Sequence, residues 1–243
     1  MRSLARFMRN RVAELILAAT LLFMTGCSGP YSTLDPAGPA ASSVAALWWG
    51  MFIVASLVLI VVCALWWYAM RRKALNISDE EAQKLQNQWV IGGGIALPTV
   101  AITVLLAFGI PIGHNMLPLP LEDGEVTRIE IEAHQWFWRV SYPEEGFELI
   151  DQIYIPVDTP VDFYISSEDV IHSFWVPRLG GKIDAIPGRT NVLRLSADEA
   201  GTYGGQCAEF CGRGHAFMQF EVTALAAEDY ENWLLQMEAE NNE

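Results

Sequence analysis

Hydrophobic and polar positions change their rhythm twice along the chain. Val44 to Met70 runs for 27 positions without a charged residue, and a second uncharged run follows from Trp89 to Ile112. Each is long enough to cross a bilayer core as a helix. In the first run Trp48 and Trp49 stand near one end and Trp66, Trp67 and Tyr68 near the other. At 1.5 Å per residue, Trp49 and Trp66 are separated by ~26 Å, which places the aromatics in the two interfacial belts. Arg71, Arg72 and Lys73 follow at once, and by the positive-inside rule that loop is cytoplasmic. Ser78-Asp-Glu-Glu81 has capping-box spacing and predicts a helix start leading into the second span. Gly92 to Gly94 permit close helix contact, and Pro98 predicts a kink. Residues 44–113 therefore read as a transmembrane helical hairpin with both ends outside.

From Val126 the period shortens towards two. Val126, Ile129 and Ile131 open a mainly alternating run that continues through Trp136 and Trp138. Strands are predicted at about 126–141, 150–155, 161–165, 190–195, 202–206 and 218–224, punctuated by Gly and Pro. Many short strands with such turns predict a sandwich or barrel. Ala227 to Glu240 has the pattern of an amphipathic helix with Trp233, Leu234 and Met237 on its apolar side. Residues 114–243 form one exported domain on this reading.

Ahead of the spans, Arg2, Arg6, Arg9 and Arg11 precede an apolar run from Leu15 to Met24, and small Gly26 precedes Cys27. Residues 1–26 read as a signal peptide. Met24-Thr-Gly-Cys27 is similar to a lipoprotein cleavage box, which makes Cys27 a candidate lipidated N-terminus. Residues 27–43, rich in Gly, Pro, Ser and Ala, are expected to be a flexible linker.

Charge sharpens this division. The whole chain carries −14, yet residues 114–243 hold 24 acidic and 7 basic groups while residues 1–113 hold 5 and 8. Such an acidic domain repels nucleic acid and attracts a basic partner. Glu144, Glu145, Glu168 and Asp169 are candidate docking charges.

The chemistry is concentrated in residues 203–218, where Cys207, Cys211, His215 and Met218 fall within twelve positions; His172 lies 35 residues before Cys207. Two cysteines in an exported domain can form a disulfide, which would leave the histidines and the methionine to be explained separately. Thiolate, thioether and imidazole together select copper or zinc. Zinc sites use Cys, His and carboxylates, whereas a weak axial Met belongs to electron-transfer copper. Two Cys, two His and one Met suggest two copper ions bridged by both sulfurs. Cys63 reads as a packed, inert thiol, and His114 and His134 are not assigned to metal. The absence of a Cys-x-x-Cys-His run excludes an attached c-type haem.

The segment Cys207-x-Glu209-x-Cys211-x-x-x-His215-x-x-Met218 resembles the copper-A loop of cytochrome c oxidase subunit II. His172 within Val170–Pro177, the run Asp184–Arg189 and the stretch His134–Trp138 match the same family in the same order. The resemblance covers about residues 44–222. It implies a Greek-key cupredoxin β-barrel behind a two-helix membrane hairpin, in a bacterial inner membrane with the barrel on the outer side. It implies a binuclear copper-A centre held by His172, Cys207, Cys211, His215 and Met218 with the Glu209 carbonyl. It further implies magnesium on the Glu209 side chain at the contact with subunit I. Trp136 matches the tryptophan at which electrons arrive from cytochrome c, and oxidase subunits I and III are the implied partners. Oxygen reduction and proton pumping would lie on subunit I. The chain departs from the family before Pro98, where Ile91, Gly94 and Ile95 stand in place of a common carboxylate. Family relatives that use quinol lack the copper ligands, and a copper-carrying assembly lipoprotein would show a βαβ pattern instead of this run of strands.

Overall fold

A computed structural model describes residues 11, 14, 26–73, 77–120 and 126–241. The predicted signal peptide therefore lies almost wholly outside the described residues. The chain divides into two compact units, Ser42–Leu119 and the remainder.

The first unit is helical. Helix α1 covers Pro39–Arg71. Helix α2, Asp79–Trp89, starts where the capping box predicts: the Ser78 side chain accepts from the Glu81 amide and the Glu81 carboxylate takes the Ser78 amide. It passes through a π-helical turn at Val90–Ala96 into α3, Leu97–Asn115. The kink expected at Pro98 thus takes the form of a wider turn just before it. Proline has no N–H for the carbonyl four residues back, and the π turn, built on Gly92–Gly94, absorbs that break. Both helical stretches are long and apolar enough to cross a membrane, and the apolar window of each is uncovered by the rest of this chain.

The second unit is a sandwich of two five-stranded sheets. One carries, in order, β3 (Phe147–Ile150), β2 (Phe137–Tyr142), β1 (Thr127–His134), β5 (Val161–Ser167) and β8 (Asn191–Leu195). The other carries β4 (Gln152–Pro156), β10 (Gln219–Leu225), β9 (Gly201–Cys207), β6 (His172–Trp175) and β7 (Ile183–Ala185). β1 pairs with β5, and β4 with β10, in parallel; the other neighbours are antiparallel. These crossovers give the cupredoxin-type β fold. Ile129, Ile131, Trp138, Val140, Phe163 and Ile165 from one sheet meet Ile153, Ile155, Phe174, Phe220 and Val222 from the other in one buried core. Trp138 closes the two layers edge-on, with ring centroids 5.5 Å from Phe174 and 5.4 Å from Phe220. Helix α4, Ala227–Asn241, packs Trp233 on Tyr154 at 4.4 Å, with Leu234 and Met237 beside it as its pattern predicts.

Two expectations need correction. The run 126–141 is not one strand but an antiparallel hairpin turning at Gln135 and Trp136. Buried positions are odd-numbered up to Ala133 and even-numbered from Trp138, so the alternation changes phase at the turn. Residues 35–41 are not a free linker. The Ala37 amide donates to the Arg178 carbonyl at 2.8 Å, its carbonyl accepts from Asp198 at 2.8 Å, and the Ala41 amide reaches the Leu179 carbonyl at 3.3 Å. Small residues make this close approach possible: a Cβ on Gly38 would lie 3.1 Å from the Leu179 oxygen.

Candidate metal centre

Strand pairing creates the site. β6 begins at His172 and lies beside β9, which ends at Cys207; Phe174 opposes Cys207, and the Ala208 amide donates to the Ser173 carbonyl at 2.9 Å. The chain after Cys207 must then fold back, since the Cys207 amide donates to the Met218 carbonyl at 2.9 Å where β10 starts. Gly212, with φ of 118°, occupies backbone space that L side chains rarely enter. A single 3-10 turn, His215–Phe217, then returns Met218 to the core.

The result is a compact donor set. The two cysteine Sγ atoms are 3.8 Å apart. His172 Nδ1 lies 3.8 Å from Cys207 Sγ, and His215 Nδ1 lies 3.6 Å from Cys211 Sγ. Met218 Sδ is 3.7 Å from Cys211 Sγ, and the Glu209 carbonyl oxygen is 3.2 Å from Cys207 Sγ. His172, Cys207, Cys211 and Met218 are buried. Both cysteines are free thiols, since a disulfide would bring the sulfurs to about 2.0 Å. Each sulfur has its own imidazole and one further weak donor. That donor set suits a soft metal such as copper.

The electrostatics split the two thiols. Burial opposes ionisation of Cys207, but hydrogen bonds from His172 and from neighbouring backbone groups outweigh it and lower its pKa to about 6. Burial and the adjacent Cys207 charge push Cys211 up to about 12. Burial lowers the pKa of His172, yet its contacts with Cys207 and Asp169 raise it overall.

The profile described as cytochrome C oxidase subunit II, periplasmic domain, matches residues 145–225. The cytochrome c oxidase subunit 2 of Alkalihalophilus pseudofirmus is 37% identical over 241 residues, covering 93% of this chain and 68% of the relative. The chain belongs to the cytochrome c oxidase subunit II family. It is thus a subunit II of a haem-copper terminal oxidase, an oxidoreductase complex, and associates with other oxidase subunits. The ubiquinol oxidase subunit 2 of Acetobacter aceti is 32% identical, over 92% of this chain and 74% of its own length. The quinol oxidase subunit 2 of Bacillus cereus is 30% identical, over 94% and 80%. The crystal structure of the periplasmic domain of subunit II of cytochrome oxidase (CoxB) from Bradyrhizobium japonicum aligns with 48% of this chain and 96% of its own at 29% identity, with a TM-score of 0.45.

Within this subunit II the other candidate residues are scattered. Trp136 is 41% exposed and lies on the metal loop: its indole Nε1 donates to the Cys211 carbonyl at 3.3 Å, and its ring occupies the space a Cβ on Gly214 would need. The Glu209 side chain is exposed and shares a cleft with Asp184 and Phe210. Glu168 is exposed on the β5–β6 loop. Glu144 and Glu145 sit beyond the far end of β2 from Trp136, where Glu145 feels Glu238 of α4; the fold does not gather them with Glu168. Asp169 is not a free charge. It accepts from His172 Nε2 at 2.8 Å and from the Gln135 amide at 2.6 Å. Gln135 itself was missed by sequence reasoning; its side-chain Nε2 donates to the Cys211 carbonyl at 2.6 Å. The spacing of Asp169 and His172, three residues apart on one loop, is the signal that could have exposed this pairing.

Proposed function

We propose that this subunit accepts single electrons from a cytochrome c at a binuclear copper-A centre and delivers them to the haem of subunit I, where oxygen is reduced and protons are pumped. The observation that supports it is the convergence of Cys207, Cys211, His172, His215, Met218 and the Glu209 carbonyl in one buried cluster. Copper held there by His172, Cys207, Cys211, His215 and Met218 would supply a one-electron carrier. The chain contributes a rigid frame. Strands β6, β9 and β10 fix the ligand positions, so bond lengths need change little between redox states, and the buried setting keeps water away. Trp136 offers the outer contact, being at the surface while bonded to the carbonyl of a ligand cysteine. The exposed Glu209 carboxylate is a hard oxygen donor suited to magnesium at the contact with subunit I. The basic loop Arg71–Lys73 supports a β domain on the outer side of a bacterial inner membrane, where Cys27 would carry lipid and subunits I and III would complete the complex.

Among the relatives are quinol oxidase subunits. The complete soft donor set favours cytochrome c over quinol here, because a quinol-oxidising complex has no need of it in this subunit. The test is the purified full chain loaded with copper. A shared unpaired electron on two equivalent copper nuclei gives a seven-line hyperfine pattern in paramagnetic resonance, and that is the expected spectrum. A four-line spectrum, or failure to retain copper, would overturn the reading. In the assembled oxidase, reduced cytochrome c should drive oxygen uptake and quinol should not.

A further inference from the structure

His172 opens β6 and Trp136 sits in the β1–β2 turn, yet one side chain bonds both His172 and Gln135, the residue before Trp136. Asp169 Oδ1 accepts from His172 Nε2 at 2.8 Å and from the Val170 amide at 2.6 Å, while Oδ2 accepts from the Gln135 amide at 2.6 Å. Gln135 continues the connection, since its Nε2 donates to the Cys211 carbonyl at 2.6 Å, the same oxygen that Trp136 Nε1 contacts at 3.3 Å. Cys211 Sγ returns to Cys207 Sγ, which faces the other ring nitrogen of His172. The contacts close a ring: His172, Asp169, Gln135, Cys211, Cys207 and back to His172.

We propose that Asp169 is a positioning residue that locks the copper-ligating face of His172 and the Trp136 turn to one carboxylate, so that ligand geometry and electron arrival are set together. The inference rests on the copper reading above. The chemistry requires a carboxylate. Three N–H donors from two loops converge on its two oxygens, and its side chain is only 30% exposed. With Nε2–H engaged by Asp169, Nδ1 is the ring nitrogen left to face the cysteine sulfurs, and the one a metal would take. Asparagine has the same shape but one acceptor oxygen. Its NH2 must then face either the His172 N–H or the Gln135 N–H, and one side of the ring opens. Glu168, the neighbouring acid, has no such contact in view and serves as the control.

The test has two arms on the full chain in detergent. In the copper-free wild type, nitrogen NMR of labelled histidine at pH 8 should show His172 protonated at Nε2, with that proton and the Gln135 amide proton protected from solvent exchange. In Asp169→Asn one of the two should lose its protection. A wild-type His172 with no proton on Nε2, or with an unprotected one, overturns the proposal without any variant having to fold. In the copper-loaded chain, Asp169→Asn should weaken copper retention against a chelator by about 10–100-fold, the usual consequence of removing a carboxylate behind a ligating histidine, and should alter the hyperfine pattern. Glu168→Gln should change neither. If Asp169→Asn keeps wild-type copper retention and spectrum and changes only the salt dependence of cytochrome c oxidation, Asp169 is a docking charge and the proposal fails. A wild-type chain that takes up no copper defeats the proposed function, while the nitrogen NMR arm still judges the hydrogen-bond ring.

Discussion

Cys207 and Cys211 have sulfurs 3.8 Å apart and opposite acid–base character. Two thiolates at that distance in a buried site repel, so ionisation of one suppresses ionisation of the other. His172 and the backbone donors choose Cys207 as the thiolate, and burial together with that new charge keeps the proton on Cys211. Metal binding must displace whatever protons remain on its ligands. At pH 8 copper uptake by the metal-free chain should therefore release the Cys211 proton. As the pH falls through about 6 the release should grow, because Cys207 then also holds a proton in the metal-free state. A pH-stat titration reads this directly, and a release that stays flat between pH 8 and pH 6 would refute the assignment. At this scale the soft donors that the fold brings together were legible from residue type and spacing. Asp169 and Gln135 were not, because a carboxylate between two loops shows its partners only when both loops are in place.

At the level of elements, the alternation in the sequence located β4, β5, β8, β9 and β10, whose inward side chains help fill the core. It left out β3, β6 and β7. β6 is His172–Trp175, four residues whose first three are all buried, so no alternation marks it. Its signal is chemical, lying in the ligand at its start. β5 and β8 carry another feature that periodicity hides. Asp162 and Arg194 are cross-strand partners, and the guanidinium meets the carboxylate through two bonds of 2.7 Å with both side chains largely buried. Removing one member of such a pair strands the other charge. Arg194→Met should lower the unfolding free energy of the β domain by about 3 kcal/mol, whereas the double variant Asp162→Leu with Arg194→Met should recover most of it. Denaturant titrations followed by near-ultraviolet circular dichroism check both. Single and double variants equal in stability would show that the isolated Asp162 charge carries no penalty.

Over the whole molecule, the two long apolar helices and the acidic β domain differ in composition, and length and hydropathy alone mark the helices. The segment ahead of the first apolar helix is not the linker its composition predicts, because Gly, Pro, Ser and Ala look the same in a tether and in a strap. The difference lies in what their small size permits. Tyr31 covers Gly204, where a Cβ would lie 2.6 Å from its ring; Arg178 bonds the Asp35 carbonyl at 2.7 Å and its carboxylate at 3.2 Å; and Ala37 adds two backbone bonds to the β domain. Small residues were kept here so that backbone could lie against backbone, not so that the chain could swing. Gly204 stands in β9, the strand that ends at Cys207, so the strap bears on the strand that delivers a ligand. Gly38→Val would force a branched side chain against the Ser196 carbonyl and the Leu179 backbone and lift the strap at its tightest point. Limited proteolysis of the full chain should then cut between residues 28 and 38 at least about tenfold faster than in the wild type, consistent with a loss of ~1.4 kcal/mol or more from local closure. The β domain, whose core lies mainly within β1–β10, should remain folded. Equal cleavage rates would mean that these contacts do not restrain the segment, and that it is a tether after all.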